Sequence, residues 1–437
     1  MATQLKGPLL TQRTGSAETA TQHYLRRIEE DDEKIGAFIY VDAERARATA
    51  RALDALRAAG TVLGPLHGAV VALKDHLFVD GMPTVAGSEI PIGDLIGTEG
   101  PFVRALRAAG CVIIGKTRAT EFAAGAYNLD RRTPWNPCDP EIPRMTGGSS
   151  NGSAAAVAAG FCDFAIGSDT GGSVRLPAAL CGLFGYRPTP GVWSIEGVFP
   201  LVPSLDTLGP LTRSVHDAIT IFETLTPQRV PDVRLDRLRF GRPTKVFYDD
   251  LDADVSRCMD AALARLRQAG VQIDPVETPD LDLVLPVFDK MLPSELIATL
   301  GRDRVEKHAG KLDGMLRKRL TGGFEITGID YVAMARRKDA LAADAAQRMR
   351  GFDAWVTPTT PTIPTPLSEV RTVDSAIAWN RRSLRNTRPG NIFAQCGVSI
   401  PIQHLGSRLP VGLQLFGANG DDARLLGLAR AVDEALA

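Results

Sequence analysis

Residues 145–178 constrain the fold more tightly than any other stretch of the chain. Two Gly/Ser-rich turns, 147–152 and 167–173, each lead into a helix-forming segment. Between them an Ala-rich helix over 153–160, ended by glycine, runs into a short apolar strand over 163–166. That succession asks for helices packed on a sheet. The glycine pairs permit positive φ and close backbone approach, and a serine at such a turn sits where unpaired backbone N–H groups point outward. Either turn alone fits a flexible loop with helix caps. Two of them flanking one strand suit the binding of an anionic intermediate.

The same alternation continues on both sides. Residues 16–59 read as two helices. Ser16 caps the first, with Leu25 and Ile28 on one face, and the second is an Ala/Arg-rich run over 42–59 stopped by Gly60. A short buried strand follows at 69–74, bounded by Gly64-Pro65 and Asp80-Gly81, then a helix at 102–109 and a strand at 111–114. Residues 127–148, rich in Pro, Asn, Arg and Asp, read as loop. Further helices are expected at 214–225, 253–269, 336–350 and 423–435. Strands are expected at 246–248, 271–273, 354–357, 398–402 and 411–416, and 227–236 as a surface connection. The pattern predicts an α/β fold with a largely parallel or mixed sheet.

Composition excludes several classes of function. Of 437 residues 44% are hydrophobic, ample for a large core. Fifty basic against 51 acidic side chains give a net charge of -1 with no strongly basic half, so no footprint for nucleic acid is present. No apolar run approaches the roughly 18–20 residues that span a bilayer. Residues 1–12 lack a basic region followed by an apolar stretch, so no secretory signal is read and the cytoplasm is the expected location. Six cysteines without a CxxC pair read as small buried hydrophobes in a reducing compartment rather than zinc or redox ligands.

Two familiar patterns fail on context. Residues 110–117 match GxxxxGK[ST], but the intervening residues are β-branched or apolar and read as the strand itself, not as a phosphate-cradling loop. Val71-Ala72-Leu73-Lys74 resembles the lysine strand of kinases, yet no GxGxxG, HRD or DFG accompanies it. What survives is a lysine at the end of a buried strand. Burial disfavours its ammonium, so it is a credible neutral base; a snorkelling surface lysine is the competing reading. Among the six histidines, His76 alone lies near this candidate, and a structural or surface role suits it better.

At this point the residues resemble the amidase-signature family. Its hallmarks GGSSGGSxAAVAxG and GxDTGGSIRxPA correspond to GGSSNGSAAAVAAG from Gly147 and GSDTGGSVRLPA from Gly167. The strand GAVVALKD, ending at Lys74 and Asp75, is similar to the family's lysine strand. Residues 182–191 resemble its GLKPTxG element and 204–210 its SLDTxGP element, and 353–361 with 410–415 also fit. The resemblance covers nearly the whole chain.

It implies one α/β domain over 1–437, a mixed central sheet sandwiched between helices. Within it 1–60 would supply N-terminal helices, 61–225 the catalytic core, and 226–437 the rest of the sheet and the substrate pocket. It implies a serine triad with Ser173 as nucleophile, Ser149 as a bridging serine after a cis peptide bond, and Lys74 as base. Thr170, Gly171, Gly172 and Ser173 fall on the oxyanion-hole segment, with Asp169, Arg175 and Ser150 as supporting polar residues. No metal or organic cofactor is implied. The implied activity is hydrolysis of a linear C–N amide bond of a small molecule, with carbamates and esters open to the same chemistry. The alternative is the glutaminase (A) subunit of a glutamyl/aspartyl-tRNA amidotransferase, which shares these motifs. A scaffold protein that kept only the fold is disfavoured by the intact triad. An exposed face on the N-terminal helices could support a homodimer.

Asn151 replaces a family glycine, and Met145-Thr146 replaces the usual Ser-Pro; both bear on loop rigidity or a pocket wall. Pocket walls are expected from 127–146 and from about 285–400. The basic group Arg317-Lys318-Arg319 invites a carboxylate-binding reading, but a solvated helix face suits it better, and the same holds for the looser group Arg381, Arg382, Arg385 and Arg388.

Overall fold

The computed structural model describes residues 15–437; residues 1–12, considered above for a secretory signal, lie outside them. Eleven strands are present in chain order. They are β1 (Phe38–Val41), β2 (Val70–Lys74), β3 (Val112–Thr117), β4 (Phe164–Ser168), β5 (Phe184–Arg187) and β6 (Leu208–Thr212), then β7 (Arg239–Pro243), β8 (Gln272–Val276), β9 (Ala354–Pro358), β10 (Cys396–Pro401) and β11 (Gly412–Gly417). All belong to one sheet, ordered β1-β3-β2-β4-β6-β5-β10-β11-β9-β7-β8. Parallel pairing joins β3-β2-β4 and β9-β7-β8, and antiparallel pairing joins the strands between them. The sheet is mixed, and the α/β architecture is the expected one.

Strand periodicity explains why both faces are buried. Successive side chains point to opposite sides. Val71 and Leu73 of β2 enter one core, with Ile113, Phe164 and Ile166. Val70 and Ala72 enter another, with Val112, Ile114 and Ala165. The alternation puts Lys74 on the Ala72 side. That side is covered by the helix Asn151–Ala158, whose Ala154, Ala155 and Ala156 are fully buried and let the helix lie close to the strands.

Most elements fall where the residues place them. Ser16 caps the helix Ala17–Ile35 through Thr19 N–H, and Leu25 and Ile28 are buried. The GKT pattern is strand β3. All cysteines except Cys138 are buried. No helix among the described residues is long and apolar enough to cross a membrane. The strand expected at 246–248 is absent: Val246 has φ +66° in a turn, and the strand of this region is Arg239–Pro243. There only Phe240, Gly241 and Pro243 are buried, so the charged flanks hid it. Strands β1, β5 and β6 and the helices Val284–Leu300, Gly314–Gly323 and Val373–Ser383 were also not foreseen, and the helix expected from 336 begins at Gly328.

Candidate active site

Lys74 closes β2 fully buried. Its ammonium has no carboxylate within bonding distance among the described residues. Instead Nζ reaches Ser149 Oγ at 2.7 Å and Ser168 Oγ at 2.8 Å. Burial pushes the group from its usual 10.5 down to about 7, with the charges of Asp206 and Asp169 pulling the other way. A lysine of this kind is half neutral near pH 7 and can accept a proton. Ser149 follows a cis Gly148–Ser149 peptide bond.

The second turn is shaped by one carboxylate. Asp169 Oδ1 accepts from Gly172 N–H at 2.8 Å, Asn391 Nδ2 at 2.8 Å and Arg175 Nη2 at 3.0 Å. Asp169 Oδ2 accepts from Val174 N–H and Arg175 Nε. Burial alone would raise this acid, but the Arg175 charge and hydrogen bond, with Arg187 and Asn391, together hold it well below the usual carboxylate range. Arg175 is tied further to Gln414 at 2.9 Å. With the Gly172 N–H committed to Asp169, the N–H groups of Thr170, Gly171 and Ser173 remain without a partner among the described residues. Gly172 itself has φ +115°, and a Cβ there would stand 2.0 Å from Thr387 Oγ1, so only glycine fits.

Ser150 joins the two turns. Its N–H donates to Ser173 O at 3.3 Å, and its hydroxyl lies 3.3 Å from both the N–H and the carbonyl of Ser168. Ser173 is 5% exposed and opens onto a small cavity. Its hydroxyl takes part in no hydrogen bond among the described residues. The structure thus brings Lys74 and Ser149 into contact, and holds Ser173 on the adjoining turn with its hydroxyl uncommitted.

Two groups important here were not singled out from sequence. Ser168 is the second acceptor of Lys74; its place at the end of a strand beside β2 was the available signal. Asp206 accepts from Thr170 Oγ1 and from the N–H groups of Leu201 and Val202 at 3.0 Å each, while Thr207 Oγ1 donates to Asp169 O. The 204–210 element therefore braces the turn that carries Ser173. The cavity walls differ from expectation on one side. Phe288, Leu292, Arg319, Leu384 and Arg388 come from 285–400 as foreseen, but besides the Ser173 turn the remaining lining residues are Ala123, Gly125 and Leu201 rather than any from 127–146. Phe122 and Ala123 have positive φ, at the segment whose Ala123 and Gly125 line the cavity. Met145 packs in a core with Leu176 and Leu180, and Asn151 opens the following helix; neither lines the cavity.

Known proteins resemble the chain over nearly its whole length. The family model described as Amidase matches residues 19–426. A 2-amino-5-chloromuconic acid deaminase of Comamonas testosteroni is 36% identical over 95% of this chain and 91% of its own length. The A subunit of the glutamyl-tRNA(Gln) amidotransferase of Salinispora arenicola is 34% identical over 100% of this chain and 97% of its own. A solved structure described as an amidase superposes with TM-score 0.87 at 30% identity, covering 97% of both chains.

Proposed function

The chain belongs to the amidase family, and on that premise we propose that it hydrolyses the C–N amide bond of a small molecule through Ser173, with Ser149 as relay and Lys74 as base. The observation that carries this reading is the 2.7 Å contact between Ser149 and a fully buried lysine whose pKa lies at about 7. A lysine kept charged by a carboxylate partner could not serve as base at neutral pH.

In the forward step Ser173 Oγ turns onto Ser149 and gives it a proton as Ser149 passes its own to neutral Lys74. The Ser173 oxygen bonds to the amide carbon, and the carbonyl oxygen becomes an oxyanion. The N–H groups of Thr170, Gly171 and Ser173 are the donors available to it; one such donor is worth about 2.7–4 kcal/mol. The Lys74 proton then returns through Ser149 to the nitrogen, the C–N bond breaks, and an acyl-enzyme remains. Water enters by the same relay and releases the acid. Asp169, Arg175 and Asp206 hold the turn and do not touch the reacting atoms.

The relative that acts on 2-amino-5-chloromuconic acid supports a small-molecule substrate. The amidotransferase A subunits, aligned over the whole chain, support a second reading, in which glutamine is the amide and a partner protein takes the ammonia. One experiment tests both: ammonia or amine release by the purified chain alone over aliphatic amides, aryl amides, glutamine and aryl carbamates, beside Ser173→Ala and Lys74→Ala. The expected outcome is turnover of a non-glutamine amide, with a loss of at least about 10³-fold in both variants. Weak turnover of glutamine alone selects the amidotransferase reading. A Ser173→Ala protein as active as wild type on every substrate would overturn the triad.

A further inference from the structure

The cavity beside Ser173 carries two guanidinium side chains, Arg319 and Arg388, and no carboxylate among the described residues lines it. Both come from basic groups whose sequence context suggested solvated helix faces. Arg317 and Lys318 do face solvent, but Arg319 turns inward, and Arg388 is only 3% exposed. Arg388 sits immediately against the nucleophile turn. Its neighbour Thr387 donates to Gly171 O at 2.9 Å, and a Cβ on Gly171 would lie 3.5 Å from Arg388 Cγ.

What Arg388 lacks is an anion. Its side chain forms no hydrogen bond or ion pair among the described residues, and its Nε is buried without a partner. Its guanidinium carbon lies 5.0 Å from the centroid of the Phe288 ring. The carboxylate of this cluster is Asp289, and it is divided: Arg319 lies 3.6 Å from one oxygen and Arg381 3.8 Å from the other. Three guanidiniums thus share one acid. Burial, with Arg319 and Arg381 adding repulsion against Asp289, pushes Arg388 down to about 9, still protonated at neutral pH. An arginine keeps its charge, and a buried charge without a partner is destabilising unless a ligand supplies one. The guanidinium fork matches a carboxylate in particular.

We propose that Arg388 and Arg319 form a carboxylate-recognition subsite, so that the substrate is an amide bearing a free carboxylate away from the scissile bond. This rests on the amidase reading above and adds the substrate class. Phe288 and Leu292 would flank the carbon chain between amide and acid, which favours a short dicarboxylic acid monoamide.

The test is the kcat/KM of wild type for succinamate and glutaramate against the neutral butyramide and valeramide, with succinate, glutarate and neutral succinamide as inhibitors. The acids are expected to be preferred by at least about tenfold, and only the dicarboxylates to compete. In Arg388→Gln that preference should fall by about tenfold, toward unity, chiefly through KM, and Arg388→Lys should recover part of it. An equal loss on acids and neutrals would assign the guanidinium to the oxyanion or to packing and overturn the proposal. So would a wild type with no preference and no inhibition by dicarboxylates. Should the variants fail to fold, the wild-type ratio and inhibition still decide. If no amide of either kind is turned over, the amidase reading is what has failed, and calorimetric titration of wild type with glutarate still tests the subsite: binding supports it and its absence overturns it.

Discussion

Lys74 and Lys116 stand on neighbouring parallel strands, β2 and β3, with Leu73 opposite Lys116 in the register. Both are fully buried. Their surroundings send them to different tasks. Lys116 meets Asp75 at 3.3 Å, Pro83 O at 3.1 Å and Thr84 Oγ1 at 2.7 Å, so all three of its protons have acceptors and one acceptor is an anion. Among the described residues Lys74 meets only two hydroxyls. Burial lowers both, but in Lys116 the adjacent Asp75 opposes it directly. One lysine ties a loop to the sheet through an ion pair; the other has no counter-ion within bonding distance among the described residues. Burial alone does not make a base, and the missing carboxylate is what distinguishes the two.

The largest effect that tests this contrast is on stability. Asp75 also accepts from the N–H groups of Val85 and Gly87, so Lys116→Met or Asp75→Ala leaves a buried group uncompensated and should destabilise by about 3–5 kcal/mol in urea unfolding. The two changes together should destabilise by less than their sum. Lys74→Met should do the opposite. A lysine lowered from 10.5 to about 7 binds fewer protons when folded than when unfolded between those values. Its charge therefore weakens the fold most at pH 7 and below, and the penalty fades as pH rises toward 10.5. The Met variant should be inactive yet melt higher at pH 7, with the gap closing by pH 10. A Lys74→Met protein that unfolds as readily as Lys116→Met would erase the distinction.

The next effect is on rate. If Lys74 must be neutral, kcat/KM for a substrate that does not itself titrate should fall about tenfold per pH unit below about 7 and level off above it. Asp75→Asn should leave that inflection near its place, because the Asp75–Lys116 pair makes no contact with Ser149. An inflection that moves with Asp75 but not with changes around Lys74 would give the base's role to Lys116.

How far this was legible from the residues follows from what each signal rests on. Gly171 and Gly172 are written into the sequence because a Cβ at either would collide with Phe288 or Thr387. Lys74 could be suspected because it ends an apolar strand. Local residues could not say that its partners would be hydroxyls, since Ser149 and Ser168 arrive from other elements and Asp75 turns to β3 instead. The inward turn of Arg319 and Arg388 was hidden for a similar reason. Charges on a helix read as solvated unless the cavity they face is known. Strand β7 was missed and 246–248 mistaken for a strand because two arginines stand in the real one, while a valine, a phenylalanine and a tyrosine occupy the turn.

The smallest effect probes the second hydroxyl. Ser168 Oγ accepts from Lys74 at 2.8 Å and touches no reacting atom in the proposed mechanism, which makes it a positioning residue. An acceptor on the ammonium favours the charged form. Ser168→Ala should therefore move the inflection of the pH profile below about 7, extending activity to lower pH. The plateau should drop by less than about tenfold, as expected for one hydrogen bond worth about 1 kcal/mol. Ser168→Thr keeps the acceptor and should return the inflection to its place. A purely structural role would lower stability and leave the inflection where it was. A loss as deep as that of Lys74→Ala would instead place Ser168 within the relay, as a competing proton route to Ser149.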